Sequence, residues 1–517
     1  MSELSRREFL KLAAAFSGGA LLAHVSPRTS QFTLTALDRR PNIILLVLDA
    51  LSACNMSLYG YARATTPNLE RLARRATVYH AHYSGGNFTT SGTASMLTGL
   101  YPWKHRALHF GSLVNASAAA HNLFRLLGPA YYRYAFTQNL LADGLLRQFS
   151  ADIDERLPAT AFSLGGDDIP FDTWPPDSKL TLQVFQDHLF VLSTHVPASW
   201  LGGYLNSVNS LRKTRFYRKG VVGYPYGAPI FVNYNLAFEN QKVYAGVTAE
   251  ILRLQQMQQP YFAYIHLFSP HDPYNPQARY ARLFDDNYRP PAKPVHPLGD
   301  FALEEDVLKK RLRYDQLVAN VDAELGRLID VLEANGTLDN TYVIVTSDHG
   351  EMFERGYHGH GDDLMYEGVI RIPLLIFSPG QTLRRDVYTP TSNVDLLPTL
   401  LLLTGGEIPP GLDGRVLPGF ADLPDAERPI FSVQAMANSA FLPLNKGTFV
   451  LRRRRLGDYK LIAYKGFPAY NKKFELYNLS ADPEELDDLY PVETTIARQM
   501  QDELLTALDE ANRPYQK

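Results

Sequence analysis

The sequence predicts an α/β fold: a mixed, mostly parallel sheet sandwiched by helices, with a small C-terminal antiparallel sheet subdomain. Three observations carry this expectation. Short continuous apolar runs alternate with segments of helical periodicity, the pattern of strands buried on both faces. Acids and histidines stand at the ends of those runs, where open parallel sheets gather their functional residues. Beyond about Phe431 the pattern changes to alternating strands, as in FVLRRRRLGDYKLIAYKG and KKFELYNL.

The first run, Ile43 to Leu48, ends at Asp49. TPNLERLARRAT follows with Leu69, Leu72 and Ala73 at helical spacing, and Pro67 suits a first turn. YRYAFTQN reads as a strand ending at Gln138-Asn139, and VTAEILRLQQMQQ as a helix stopped by Pro260. YFAYIHLFSPHDPY is a buried strand leading to His271; its His266 points the same way as Tyr264 and reads as a core histidine. A long amphipathic helix runs from about Glu304 to Asn335, and TYVIVTSDHGE is a further buried strand ending at Asp348-His349. Residues 155–245, rich in Pro, Gly, Trp and Tyr, read as an insertion or lid. The expected domains are therefore 40–425, carrying that insertion, and 426–517. Within the latter, the arginines at 452–455 read as a solvated strand edge.

Before the first strand, SRREFLKLAAAFSGGALLAHVSP pairs Arg6-Arg7 with a short Ala- and Leu-rich stretch, like a bacterial twin-arginine export signal over residues 1–30. It predicts an exported, periplasmic protein. The poor cleavage site leaves retention as an N-terminal membrane anchor open. Bulk charge is balanced, with 51 Lys and Arg against 54 Asp and Glu, so there is no electrostatic case for a nucleic-acid partner. The single cysteine, Cys54, rules out an intramolecular disulfide and a cysteine-based zinc site.

The chemistry is carried by Asp49, Asp348 and His349. Two carboxylates and one imidazole at strand ends suit one divalent ion, with Mn²⁺, Zn²⁺ or Mg²⁺ favoured over Ca²⁺. NFTTSGTASMLTGLYP offers hydroxyls: Thr89 can cap a helix, and a hydroxyl at a helix N-terminus also gains anion-binding N–H groups. Lys104, His105 and His109 follow that helix as candidate anion or substrate contacts, and Asn139 ends a strand on the same presumed face.

PNIILLVLDA, TPNLERLA, TASMLTGLYP, SPHDPY, TSDHGE, YEGVIRIPLLIFSPG, NVDLLPTLL and GLDGR occur in the order found in sulfatase-like members of the alkaline phosphatase superfamily, which the chain resembles over most of 40–150 and 247–490. The resemblance implies an alkaline-phosphatase-like fold and one divalent metal, with Asp49, Asp348 and His349 at metal-ligand positions. It implies that His271 contacts the transferred anion, and that His358 and His360 lie near positions for oxyanion binding and leaving-group protonation. Counting back nine from Thr98 puts the reactive residue at Thr89, a metal ligand as well as nucleophile, with Thr90 its neighbour in the substrate site. The Asp-x-x-x-His pair of two-metal relatives is absent.

The sequence also departs from that pattern. Sulfatases carry Cys or Ser at the nucleophile, oxidised to formylglycine, with Pro two and Arg four positions on; here those positions are Thr89, Ser91 and Thr93. Threonine would give a ketone, not that aldehyde. Ala50 stands where a second acid is usual. Threonine nucleophiles occur in phosphodiesterase and phosphotransferase relatives. The expected function is therefore cleavage of a phosphodiester, by hydrolysis or transfer, through a Thr89 intermediate. The alternatives are a sulfatase acting without formylglycine and a non-catalytic relative that binds an anionic glycan. The expected partner is an anionic ester: a lipid headgroup, a glycan or a small molecule.

Overall fold

The apolar run after Asn42 forms the centre of an eight-stranded sheet in the computed structural model of the chain. The structure describes residues 40–164, 236–421, 428–453, 457–468 and 470–516, with 208, 211, 223–226 and 230–231. The expected signal over 1–30 and most of the expected insertion lie outside the described residues. The strands are β1 (Asn42–Leu48), β2 (Thr77–Tyr79), β3 (Tyr132–Thr137), β4 (Glu155–Arg156), β5 (Tyr261–Leu267), β6 (Thr341–Thr346), β7 (Leu374–Phe377) and β8 (Arg385–Val387). They lie in the order β8-β2-β7-β6-β1-β5-β3-β4. Neighbours from β6 to β4 are parallel, as are β8 and β2, while β7 runs antiparallel to both its neighbours. The sheet is thus mixed and mostly parallel. Glu155–Arg156, expected in the insertion, is its edge strand; two polar residues carry too little pattern to be read as a strand.

The helices that cover the sheet are α1 (Pro67–Leu72), α2 (Thr89–Thr98), α3 (Leu140–Gln148), α4 (Asn240–Gln255), α5 (Glu304–Ala334) and α6 (Leu396–Thr404). Alternation along β1 divides them. Ile44, Leu46 and Leu48 face the layer of α1, α4 and α5. Ile43, Leu45 and Val47 face the layer of α2, α3 and α6. All six side chains are fully buried, which explains why the strand reads as an unbroken apolar run. Each contributes roughly 1.5–3 kcal/mol by burial. No helix among the described residues is long and apolar enough to cross a membrane.

The C-terminal part is a second sheet of β9 (Ile430–Gln434), β10 (Gly447–Arg453), β11 (Tyr459–Lys465) and β12 (Phe474–Asn478), all antiparallel and in chain order. One face packs on α7 (Thr494–Asn512), and the other on Tyr83, Met365, Tyr366, Val369 and Ile370. Two buried polar groups pin that second face. Lys460 bonds Glu367 at 3.2 Å and Glu485 at 2.7 Å. Glu475 accepts from the hydroxyls of Tyr366 (2.7 Å), Tyr464 (3.1 Å), Tyr477 (3.1 Å) and Tyr470 (2.5 Å). The reading of the arginine run as a solvated edge is corrected for Arg452 and Arg453. Their strand β10 is interior; Arg452 bonds Asp458 at 2.7 Å, and Arg453 Nε bonds Glu503 at 2.8 Å. Arg454 and Arg455 lie outside the described residues.

Candidate active site

Register places the site. Val47 of β1 is level with His266 of β5 and with Thr346 of β6, so the carboxyl ends of the three central strands come to one height. Asp49, His266 and Asp348 consequently offer ligand atoms that all lie within 4.8 Å of one another, every residue buried. His349 completes the group, its Nε2 3.5 Å from Asp49 Oδ1 and 3.5 Å from Asp348 Oδ2. His266 Nε2 lies 3.5 Å from Asp49 Oδ2 and 3.6 Å from Asp348 Oδ2. His266 is therefore not the core histidine expected from its strand. Its Nδ1 is taken by the Tyr264 hydroxyl at 3.0 Å, which leaves Nε2 for the acids. In the same way His349 Nδ1 meets the Gly350 carbonyl at 2.9 Å and turns Nε2 inward.

Asp348 is held by the turn it ends: its Oδ1 accepts from the N–H groups of His349 (2.9 Å) and Ala50 (3.2 Å). Ala50 adopts φ 60°, a left-handed turn just after β1, and its methyl supplies no ligand. Asp49 Oδ1, Asp348 Oδ2 and His266 Nε2 are buried with no hydrogen-bond partner. Unpaired buried polar atoms of this kind are costly, and three that converge fit a cation. Two carboxylates and two imidazoles form a mixed oxygen and nitrogen set suited to a divalent ion. Burial opposes ionisation of Asp49. The charge of His271, with the rings of His266 and His349 each 3.5 Å away, outweighs it and holds the carboxyl well below its usual range. Burial works against a charge on His349 too, yet Asp348 and Asp49 lift it to about 9.

Helix α2 enters from the other side. All ten of its residues are buried, and the sequence TTSGTASMLT has little intrinsic helix preference, so packing holds it. Gly92 makes the approach possible: a β-carbon there would sit 2.2 Å from the Asp348 carbonyl oxygen. No side chain caps its first turn, so those N–H groups remain available to an anion. Thr89 Oγ1 lies 3.4 Å from His349 Nε2 and 3.1 Å from Asn139 Nδ2. Asn139 also donates to Asp49 Oδ2 at 2.5 Å, while its Oδ1 accepts from Leu141 N at 2.8 Å to cap α3. Thr90 faces away, its hydroxyl accepting from Gly111 N at 3.0 Å.

The remaining histidines separate. His360 packs on His349 (ring centroids 4.2 Å) and on His271 (4.7 Å). His360 Nδ1 is 2.9 Å from Glu351 Oε1, a fully buried acid that the sequence reading passed over. Burial lifts the Glu351 carboxyl to about 7, against the pull of His271 and His349. Burial, then the charges of His349 and His271, hold His360 well below its usual range. His358 meets Lys310 of α5 at 3.3 Å instead; burial and that lysine lower its pKa. His271 Nδ1 bonds the Asp272 carbonyl at 2.7 Å, and its ring packs on Phe268.

Two expected substrate contacts stand elsewhere. Lys104 pairs with Asp413 at 2.6 Å. His105 is fully buried between the Ser95 hydroxyl (3.2 Å) and the Ala107 N–H (3.0 Å), and burial pushes it down to about 3. Helix α2 is apolar toward its end, so the short turn after it packs into the core rather than lining the site. His109 bonds the Asn438 carbonyl at 2.8 Å.

The sulfatase family model matches residues 41–406. This chain belongs to the sulfatase family. A second model, N-sulphoglucosamine sulphohydrolase, C-terminal, matches residues 356–512. Among relatives, the chain is 25% identical to a choline-sulfatase of Rhizobium meliloti over 87% of its own length and 82% of that protein. It is 31% identical to an N-acetylglucosamine-6-O-sulfatase of Bacteroides thetaiotaomicron, over 39% of this chain and 35% of the relative. The fold matches the crystal structure of a phosphonate monoester hydrolase of Agrobacterium radiobacter with a TM-score of 0.64 at 22% identity, covering 91% of this chain and 96% of that one. This sulfatase-family protein is thus an ester hydrolase on an alkaline-phosphatase-like fold.

Proposed function

We propose that this sulfatase-family protein cleaves a phosphodiester by covalent catalysis at Thr89, passing the phosphoryl group to water or to an alcohol. The observation that carries the reading is the position of Thr89 Oγ1 at the uncapped start of α2, within 3.4 Å of His349 and 3.1 Å of Asn139. A divalent cation, Mn²⁺, Zn²⁺ or Mg²⁺ by the ligand chemistry, would be held by Asp49, His266, Asp348 and His349. When bound it supplies positive charge that favours the alkoxide form of a nearby hydroxyl.

Thr89 Oγ1, its proton lost to solvent, attacks phosphorus; the P–Oγ1 bond forms as the bond to one ester oxygen breaks. The first-turn N–H groups of α2 and His271 hold the equatorial oxygens. The His360–Glu351 pair shares a proton and delivers it to the departing alkoxide. Asn139 is a positioning residue: its amide fixes Thr89 Oγ1 and Asp49 Oδ2 in one frame. Water or an alcohol then attacks phosphorus, its proton returning to the His360–Glu351 pair, the P–Oγ1 bond breaks, and Thr89 Oγ1 regains a proton from solvent.

A second reading is turnover of a sulfuric ester at the same hydroxyl, favoured by the relatives named as sulfatases. Rates on bis-p-nitrophenyl phosphate and p-nitrophenyl sulfate, measured side by side, separate the two. The proposal expects the diester to be turned over faster and Thr89→Ala to abolish that activity. Sulfate turnover surviving in Thr89→Ala contradicts it. We further propose export by the twin-arginine route, supported by Arg6-Arg7 and the apolar stretch that follows; loss of export in an Arg6→Lys, Arg7→Lys variant tests it.

A further inference from the structure

Only two acids, Asp49 and Asp348, belong to the buried cluster among the described residues; Glu351 bonds His360 instead. The residue after Asp49 is Ala50, which has no ligand atom on its side chain. An imidazole stands where a third acid would be needed. His266 Nε2 is 3.6 Å from Asp348 Oδ2, and His349 Nε2 is 3.5 Å from that same oxygen and 3.5 Å from Asp49 Oδ1. These spacings are not hydrogen bonds. A charge-assisted N–H···O bond to a carboxylate closes to about 2.7–2.9 Å. His266 Nε2 instead stands back from both acids and has no partner. A neutral ring with its lone pair on Nε2 aims that pair at two carboxylates, which is unfavourable unless a cation lies between them. The other nitrogen makes this tautomer available: Nδ1, 3.0 Å from the Tyr264 hydroxyl, donates to that oxygen and leaves Nε2 bare. Tyr264 is fully buried, and burial with the charges of Asp348 and Asp49 holds its hydroxyl well above the usual range, so it stays neutral.

Spacing and donor type together choose the ion. The donors of a four-coordinate zinc, each about 2.0–2.2 Å from it, stand roughly 3.3–3.6 Å apart. The octahedral shell of Mg²⁺ brings neighbouring donors to roughly 2.8–3.0 Å, and Ca²⁺ asks for six or more oxygens. Imidazole suits zinc better than either. We propose that this site selects Zn²⁺ over Mg²⁺ and Ca²⁺, that His266 is the ligand responsible, and that Tyr264 is the positioning residue that keeps its Nε2 bare. This rests on the assignment of a cation to Asp49, His266, Asp348 and His349, and it is independent of which ester is cleaved.

Calorimetric titration tests the selection without any turnover. Full-length protein, stripped of metal with a chelator and dialysed, is titrated with zinc chloride, magnesium chloride and calcium chloride. Zn²⁺ is expected to bind at least about a thousandfold more tightly than either other ion. His266→Ala should weaken Zn²⁺ about a hundredfold and Mg²⁺ far less, so the ratio collapses. Tyr264→Phe keeps the ring and removes the hydroxyl; it should weaken Zn²⁺ about tenfold. Loading with Co²⁺ gives a second readout: the intense visible bands of a four- or five-coordinate ion in the wild type, and weak six-coordinate bands in His266→Ala. The wild-type ratio and spectrum stand as tests even where a variant fails to fold. Mg²⁺ or Ca²⁺ binding as tightly as Zn²⁺, or an unchanged Zn²⁺ affinity in His266→Ala, overturns the proposal. Selective Zn²⁺ binding by a protein that turns over no diester supports the proposal while contradicting the phosphodiester reading; binding of none of the three ions overturns both.

Discussion

Two buried acidic clusters in this protein have opposite characters. Around Glu475, four tyrosine hydroxyls converge on one carboxylate from β11, β12, the loop between them and Tyr366. Around Asp49 and Asp348, three buried atoms make no hydrogen bond at all. Both clusters are out of water, and both place acids where desolvation is expensive. The first is closed by its own side chains and ties the C-terminal sheet to the body. The second is completed only by a charge from outside. Burial alone therefore does not mark a functional acid here; unmade hydrogen bonds that converge on one point do.

The sharpest way to break this comparison is Asp49→Asn. It should lower kcat/KM by roughly a thousandfold. It should cost the metal-free protein less stability than Glu475→Gln does, since Asp49 Oδ1 makes no hydrogen bond while Glu475 is held by four hydroxyls. An equal or larger loss would mean that Asp49 serves the fold like Glu475. Next in size is the response to metal. Chelation should abolish activity, and restoring Mn²⁺ or Zn²⁺ at a hundred times its Kd should stabilise the wild type by about 2.7 kcal/mol. Calorimetry with and without the ion checks this, and Asp49→Asn should show little of the shift.

Glu475→Gln sharpens the other half. It should destabilise the fold by about 2–3 kcal/mol and leave kcat untouched. Burial raises the Glu475 pKa, but His296 at 3.8 Å and hydrogen bonds from Tyr470 and Tyr366 outweigh it and bring the carboxyl from 4.5 down to about 2. A depressed carboxylate stabilises the fold above its unfolded pKa, and that contribution is lost as pH falls through the folded one. Wild-type stability should thus decline between pH 4.5 and about 2, and Glu475→Gln should flatten that part of the acid limb. Smaller still, Thr90→Ala should change kcat/KM no more than a few-fold, because its hydroxyl serves the Gly111 backbone. Lys104→Ala should be silent in activity, its half-exposed pair with Asp413 being worth less than about 1 kcal/mol.

The sheet was legible because β1, β5 and β6 are buried on both faces and write themselves as apolar runs. Asp49 and Asp348 were legible because such runs end at the edge where sites form. His266 was not. It lies inside its run, and strand alternation pairs it with Tyr264, so it reads as core. Only the register shows that His266 lies level with Val47, two residues before Asp49 and on the same face of the sheet. That register is a long-range pairing with no local signal. Lys104 and His105 misled for the converse reason: nearness in sequence to Thr89 says nothing about which side of α2 the following turn takes. Glu351 carried a signal, an acid two residues beyond His349, whose meaning depended on the hairpin Met352–Glu354 with Tyr357–Gly359 returning His360 to it.

The most direct test of the account is a trapped intermediate. Metal-loaded enzyme is mixed with bis-p-nitrophenyl phosphate, quenched in acid within the first turnover and digested for mass spectrometry. The account predicts a phosphoryl group on Thr89, absent in Thr89→Ala. Full diester turnover by Thr89→Ala, or an adduct on any other side chain, would contradict it.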